Sequence, residues 1–195
     1  MRENVMIITP EYLARNGTED GEHSAIIQAV MLWIYPQYNL VELIYHVPNG
    51  GSRGATRQEG QRNGARMLAL GTKAGTPDIC LPIPSLGFGA LYIEVKKPDG
   101  KGVLEPEQVS RLCRLQRAGN MCAVVDQWML GYMLIRDYLT MQTREQFMAS
   151  WCNNIVQDEH GESVTLHDPV GYFAKYHKAL EAKRARMVKK RQLHG

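Results

Sequence analysis

The hydrophobic positions of this 195-residue chain fall into short blocks whose period switches between helix and strand. In "EHSAIIQAVMLWIY", Ile26, Ala29, Val30 and Trp33 recur at three- and four-residue steps, predicting a helix capped near Asp20 and stopped before Pro36. "NLVELIYHV" (39–47) alternates and reads as a strand, and "PNGGSRG" after it reads as a turn or loop. A helix interrupted by Gly60 and Gly64 follows in "ATRQEGQRNGARMLALG". "DICLPI" and the strongly apolar "ALYIEVK" are then two strands around the turn "PSLGFG". "EPEQVSRLCRLQRAGN" carries the clearest helix signature, with Pro106 in first position, a stripe of Val109, Leu112 and Cys113, and Gly119 as the stop. "MCAVVD" is a short buried strand, and "QWMLGYMLIRDYLTM" a helix turning Trp128, Leu130, Met133 and Leu134 inward. Helices alternating with strands in this order predict an α/β fold, a mixed sheet flanked by helices. Beyond Gln146 the pattern loses its period until the basic helical stretch "KALEAKRARMVKKRQ".

Antiparallel partners have residue numbers that add to a constant, and pairing Asp78 with Glu94 centres the hairpin on Leu86, inside the predicted turn. In that register Asp78 faces Glu94 across the ladder, at a Cβ separation of about 5 Å. Lys96, two residues beyond Glu94, shares its face. One outcome is a cross-strand salt bridge. The other is a site, because two neighbouring carboxylates at the end of a buried strand call for a compensating cation, and Mg²⁺ takes one or two protein carboxylates and leaves its other positions to water and phosphate. Glu22, one turn before Ile26, is either a first-turn acid stabilised by the helix dipole or a third carboxylate aimed at the same point. Arg57, Arg62 and Arg66 lie on a solvated helix face or meet a phosphate backbone.

Charge leaves both readings open. The net charge of +3 is uneven: from Phe173 onward eight Lys or Arg stand against one Glu, whereas the first 172 residues hold fifteen basic and nineteen acidic side chains, a net of −4. The C-terminal stretch is a solvated basic helix or a nucleic-acid arm. Cys80, Cys113, Cys122 and Cys152 form no Cys-x-x-Cys pair and read as reduced core thiols, and His160, His167 and His177 lack zinc-finger spacing. The longest apolar run, "AVMLWIY", is far short of a membrane span and the N-terminus has no signal-peptide core, so the expected location is the cytoplasm, with no membrane partner.

"GTPD", then sixteen residues from its aspartate to "EVK", then "LEPEQ" opening a helix, resembles the PD-(D/E)xK nuclease superfamily. More narrowly, with "HVPNGGSR" and "LALGTKAGTPD", the chain is similar to the VRR-NUC family in its compact stand-alone phage or bacterial form, over roughly 19–139. The resemblance implies a restriction-endonuclease-like fold, a nuclease domain over 19–148, and an accessory segment over 149–195 that includes the basic extension. It implies Mg²⁺ or Mn²⁺ held by Asp78, Glu94, the Val95 carbonyl and Glu22, with Lys96 serving the nucleophilic water and Gln108 supporting the site. Arg53, Arg57, Arg62, Arg66 and Lys73 are the candidates for DNA contact. The implied activity is endonucleolytic hydrolysis of branched or Holliday-junction-like DNA by a homodimer, with a helicase or replication protein as a further partner and a bacterial host cell as the setting for a phage-encoded chain. The alternatives are a flap or duplex nuclease, or a DNA-binding accessory subunit of a replication or repair complex.

Overall fold

A computed structural model describes residues 8–47, 56–152, 154–158 and 161–192. Its central sheet has the order β1 (Tyr45–His46), β2 (Ile79–Leu81), β3 (Leu91–Val95), β4 (Met121–Val125). β1 with β2 and β2 with β3 are antiparallel, and β3 with β4 is parallel. A parallel neighbour requires a crossover, which α5 (Pro106–Arg117) supplies.

Parity sorts the two faces of this sheet. Odd-numbered Ile79, Leu81, Leu91, Ile93, Val95, Met121, Ala123 and Val125 pack with Ile26 and Val30 of α2 (Glu19–Leu32) and with Leu134, Ile135 and Tyr138 of α6 (Trp128–Thr140). Even-numbered Cys122 and Val124 pack with Val109, Leu112 and Cys113 of α5. Helices α2 and α6 approach so closely that a Cβ on Gly131 would lie 2.5 Å from Ile26 Cδ1. The result is a mixed sheet covered by helices on both faces, the restriction-endonuclease-like architecture expected from the sequence.

The β2–β3 hairpin has the predicted register. Ile79 pairs with Ile93, Cys80 with Tyr92 and Leu81 with Leu91. Its tip is a two-residue turn at Leu86 and Gly87, with φ of 52° and 75°, closed by mutual hydrogen bonds between Ser85 and Phe88. Positive φ at both central residues matches the right-handed strand twist. The tip is shifted half a residue from the predicted centre, because Pro82–Pro84 on one arm faces only Gly89 and Ala90 on the other.

Several local expectations are corrected. The cap expected near Asp20 is Thr18, its hydroxyl accepting from the Gly21 amide at 3.0 Å. The segment 39–47 is mostly not strand: α3 (Leu40–Leu43) precedes the short β1, because Leu40 and Ile44, four apart, are the residues that bury. Helix α1 (Pro10–Ala14), capped by Thr9, and helix α7 (Arg144–Trp151), capped by Thr143, are additions to the predicted elements. So is the hairpin of β5 (Asn154–Gln157) and β6 (Ser163–Leu166). Helix α4 (Arg57–Ala69) forms where expected but runs unbroken through Gly60 and Gly64, and a Cβ on Gly64 would meet no protein atom within 4 Å.

Residues of the expected accessory segment pack directly on the sheet. Val156, Val164, Leu166, Tyr172, Phe173 and Tyr176 share one cluster with α5 and β4. His167 extends the sheet by a parallel bridge to Ala123, with the Val124 amide donating to the His167 carbonyl at 2.9 Å. Helix α8 (Tyr172–Gln192) starts here, where the buried Asp168 carboxylate accepts the amides of Tyr172 at 2.8 Å and Phe173 at 2.9 Å. Over 181–188 the helix is exposed on all sides, and Lys183, Arg184 and Arg186 project into solvent. No described helix is long and apolar enough to cross a membrane.

Asp168→Ala should therefore destabilise the whole fold and not merely fray a tail. Loss of such a cap costs about 1–2 kcal/mol, and in a chain of this size each kcal/mol lowers Tm by about 2–4 °C. Thermal unfolding followed by circular dichroism reads the shift; an unchanged Tm would mean that α8 docks independently of the core.

Candidate active site

The site sits where Pro77 ends the hairpin ladder. In the β2–β3 register Pro77 stands opposite Val95, and it has no N–H to give the Val95 carbonyl. The Asp78 side chain takes up the other half of that missing exchange, its Oδ2 accepting the Val95 amide at 2.8 Å. Meanwhile the Asp78 carbonyl accepts the Val47 amide at 2.8 Å and lies 3.1 Å from His46 Nδ1. Asp78 is thus held on both sides, with its carboxylate at the end of β3. A residue's N–H and C=O leave a strand on the same side, so the Val95 carbonyl points toward the same edge as Asp78.

Glu94 and Lys96 are even-numbered and so face α5. Both are buried, with 1% and 5% of their surface exposed. Lys96 Nζ lies 2.9 Å from Glu94 Oε1 and donates to Gln108 Oε1 at 3.2 Å. The Gln108 amide nitrogen donates to Glu94 Oε1, and Gln108 Oε1 accepts the Glu105 amide at 2.9 Å. Gln108 is therefore at once the third residue of a capping box that starts α5 and the bridge between Lys96 and Glu94. The loop of "GTPD" is seated on the same helical turn. A Cβ on Gly75, at φ +71°, would fall 2.2 Å from the Glu107 carbonyl carbon and 2.5 Å from the Gln108 amide, so only glycine fits.

Burial pushes the Glu94 carboxyl up to about 8, reinforced by the negative charge of Asp78 and opposed by Lys96. Glu94 Oε2 is buried and receives no hydrogen bond. That orphaned oxygen beside a second carboxylate is the feature a hard divalent cation would satisfy. Among the described residues no three Asp, Glu, His or Cys side chains converge as a ready-made cage. The donor set fits an ion held by two carboxylates with water and phosphate completing its shell, and does not fit zinc.

Glu22 is placed at the junction of α2 with α6. It is buried, its Oε2 accepts the Trp128 amide at 2.6 Å at the start of α6, and burial, opposed by that hydrogen bond, raises its carboxyl. The acid of α2 that couples to the group is Glu19, one turn earlier. It is exposed at the helix start, yet partial burial raises its carboxyl, with Lys96 acting against the rise and Asp78 adding to it. The sequence carries a signal for Glu19, since it shares a helical face with Glu22, but the apolar stripe alone does not rank the two. Asp126, at the end of β4, is a further buried acid not singled out by the sequence: its Oδ2 accepts the Tyr172 hydroxyl at 3.2 Å, and burial raises its carboxyl.

His23 also lies beside this group. Its ring meets that of His46 edge-on at 4.7 Å, and burial lowers its pKa, with His46 adding to the fall. Of the candidate DNA contacts, Arg62 and Arg66 are exposed on α4 and Lys73 is exposed in the loop before Gly75. Arg53 and the side chain of Arg57 lie outside the described residues, as does most of "HVPNGGSR".

The raised Glu94 carboxyl has a stability consequence in metal-free protein. The folded state holds this proton up to about pH 8, whereas the unfolded chain releases it near the ordinary carboxyl value of 4.5. Its contribution is fully present below the unfolded value, is lost as pH rises between the two, and does not recover above 8. Glu94→Gln should abolish this loss. In EDTA, the Tm of the variant should therefore exceed that of the parent by an amount that grows from pH 5 to pH 8, and a constant gap across that range would show that Glu94 ionises normally.

No family model matches the chain, and no curated protein matches it significantly. Among solved structures, one described as a VRR_NUC domain protein matches at 25% identity and a TM-score of 0.51, covering 65% of this chain and 91% of that one. The chain thus has a fold similar to that VRR-NUC domain, a likeness that points to a nuclease domain.

Proposed function

We propose that this chain is a Mg²⁺- or Mn²⁺-dependent DNA endonuclease. The observation that carries the reading is the buried Glu94 carboxylate, one oxygen bridged to Lys96 and Gln108 and the other without a partner, beside Asp78 at the end of β3. Asp78, Glu94 and the Val95 carbonyl would hold the ion. When bound, it supplies a Lewis acid that lowers the pKa of water and neutralises developing charge on the phosphate.

The chain's own residues do the positioning. An ammonium has three protons to donate; Lys96 directs two of them to Glu94 and Gln108, leaving one for the attacking water or a scissile-phosphate oxygen. In hydrolysis the water oxygen bonds to phosphorus, the bond from phosphorus to the leaving sugar oxygen breaks, and that oxygen takes up a proton. Gln108 keeps Lys96 and Glu94 in register, because its own position is locked by the capping box and by Gly75. Glu19 is the α2 acid whose charge is felt by Lys96 and Asp78, and Glu22 serves the site indirectly by fixing the start of α6.

The substrate we favour is a branched, junction-like DNA cut by a homodimer. One chain carries one Asp78, Glu94 and Lys96 set, and a symmetric four-way junction needs two related cuts. Linear duplex, flap DNA or action within a larger replication complex are the competing outcomes.

Asp78→Asn, Glu94→Gln and Lys96→Met should each reduce cleavage by ~10²- to 10⁴-fold, since each removes a ligand or a group that positions a proton. Incubating the purified protein with labelled four-way junction, flap, splayed and linear DNAs checks this, with Mg²⁺, Mn²⁺ or EDTA. Full activity in EDTA, or in the Glu94→Gln chain, would overturn the reading.

The homodimer makes a separate prediction. A stable dimer should bury on the order of 1,200–2,000 Å², and mixed wild-type and Lys96→Met chains should yield junctions nicked on one strand only. A monomer in light scattering, with equal cutting of linear and junction DNA, would leave a nuclease indifferent to DNA structure.

A further inference from the structure

Next to the site, the loop through Lys73 and Ala74 and the outer side of α5 enclose a groove of about 350 Å³. Its charged and polar lining is Lys73, Glu107, Ser110, Arg111 and Arg114, three cations against one acid. We propose that this groove binds a backbone phosphate of the nucleic-acid strand that enters the active site, an assignment that rests on the nuclease reading above.

Three observations support it. First, the cations are uncommitted. Among the described residues, Lys73, Arg111 and Arg114 have no ion-pair partner, whereas Arg117, one turn further along α5, is engaged by Asp158 and Glu162. The arginines of one helix thus differ in use: the last ties α5 to the loop after β5, and the two nearer the site stay available to an anion. Second, the groove is built on a contact that admits only glycine. Its two walls meet where Gly75 touches the backbone of Glu107 and Gln108, and the Thr76 hydroxyl donating to the Lys73 carbonyl at 2.8 Å fixes the loop. A phosphate bound here would meet donors on a rigid frame.

Third, the groove is in reach of the chemistry. Lys73 precedes Asp78 by five residues, and Arg111 and Arg114 follow Gln108 by three and six, about 4.5 and 9 Å along a helix axis. At about 3.4 Å per nucleotide along a duplex, this corresponds to about one to three nucleotides from the residue that bridges Lys96 and Glu94. Guanidinium groups suit the task because their fork matches phosphate oxygens in pairs, and Ser110 adds a hydroxyl donor. Only Lys73 of this set is a candidate from sequence; Ser110, Arg111 and Arg114 sit on what reads as an ordinary amphipathic helix.

The test is fluorescence anisotropy of a labelled duplex and a labelled four-way junction in EDTA across a salt series, with single-turnover cleavage in Mg²⁺ alongside. The proteins are wild type, Arg111→Gln/Arg114→Gln, Lys73→Gln and Glu107→Gln, each checked for an unchanged circular dichroism spectrum. The expected result is weaker binding by the double variant and by Lys73→Gln, with the log–log salt slope flattened by about 0.9 for each duplex phosphate that the variant no longer neutralises. At subsaturating enzyme the cleavage rate should fall in step with the lost affinity, and Glu107→Gln should bind more tightly. If wild type cleaves while both cation variants keep its affinity and slope, the groove assignment is overturned and the nuclease reading stands. If the slopes change as expected but nothing is cut, the nuclease reading falls and the groove is a nucleic-acid phosphate site that serves no cleavage, which overturns the proposal as stated. No binding and no cleavage by wild type would overturn both.

Discussion

The β2–β3 register is the constraint on which the site depends. It fixes parity, and parity decides which residues enter the core against α2 and α6 and which face α5. A slip of one residue would turn Glu94 and Lys96 into the apolar cluster and bring Ile93 and Val95 to the surface of the site. The register is held by two devices at opposite ends of the hairpin. At the tip, Leu86 and Gly87 with positive φ fix the turn, and the extra residue among Pro82, Ile83 and Pro84 absorbs the half-step between turn and ladder. At the base, Pro77 terminates pairing and hands the Val95 amide to the Asp78 carboxylate.

That base is also where backbone pairing becomes chemistry. A proline that cannot donate leaves a strand-end carbonyl without its usual partner, and the next residue's carboxylate accepts an amide that would otherwise be bonded to backbone. The same few atoms therefore explain why an aspartate follows a proline and why a carboxylate, a main-chain carbonyl and the buried Glu94 face one edge. The cost is concentrated on Glu94, whose desolvated carboxyl stays protonated to about pH 8 without a cation. Gln108 limits that cost by donating to one oxygen and leaves the other oxygen unpaired.

How much of this the sequence reveals depends on how local the determinant is. The hairpin partners, the parity of Glu94 and Lys96 and the start of α5 follow from strand alternation and from "EPEQ", both short-range signals. Helix α3 reads as strand because four residues can satisfy both periods, and only the burial of Leu40 with Ile44 decides between them. The β5–β6 hairpin is invisible in the pattern because its burial is one-sided and incomplete: Val156, Val164 and Leu166 are buried, while Ile155 remains 76% exposed. The tie of Glu22 to the start of α6 is not legible in the sequence because it depends on the tertiary position of α6, whose first amide, at Trp128, donates to the Glu22 carboxylate. Gly75 looks like one glycine in a loop, and its necessity comes from a helical turn at Glu107 and Gln108, distant in sequence, that no local pattern could bring there.

The C-terminal residues bind the site from a direction the sequence does not suggest. Gly102, on the loop after β3, lies between the Lys96 stem and the Tyr172 ring: a Cβ there would sit 3.4 Å from Lys96 Cδ and 3.5 Å from Tyr172 Cε1. Tyr172 donates to Asp126, the residue that follows β4, and Lys175 reaches over the Tyr172 ring to the Gly100 carbonyl. The first turn of α8 thus braces the loop beside the lysine, while Lys183, Arg184 and Arg186 further along carry their charges into solvent. One helix is core at its start and exposed cation over 183–186. Removing residues from Phe173 onward would therefore disturb the packing around Lys96 along with the charge, whereas a cut after Leu180 would separate the two effects.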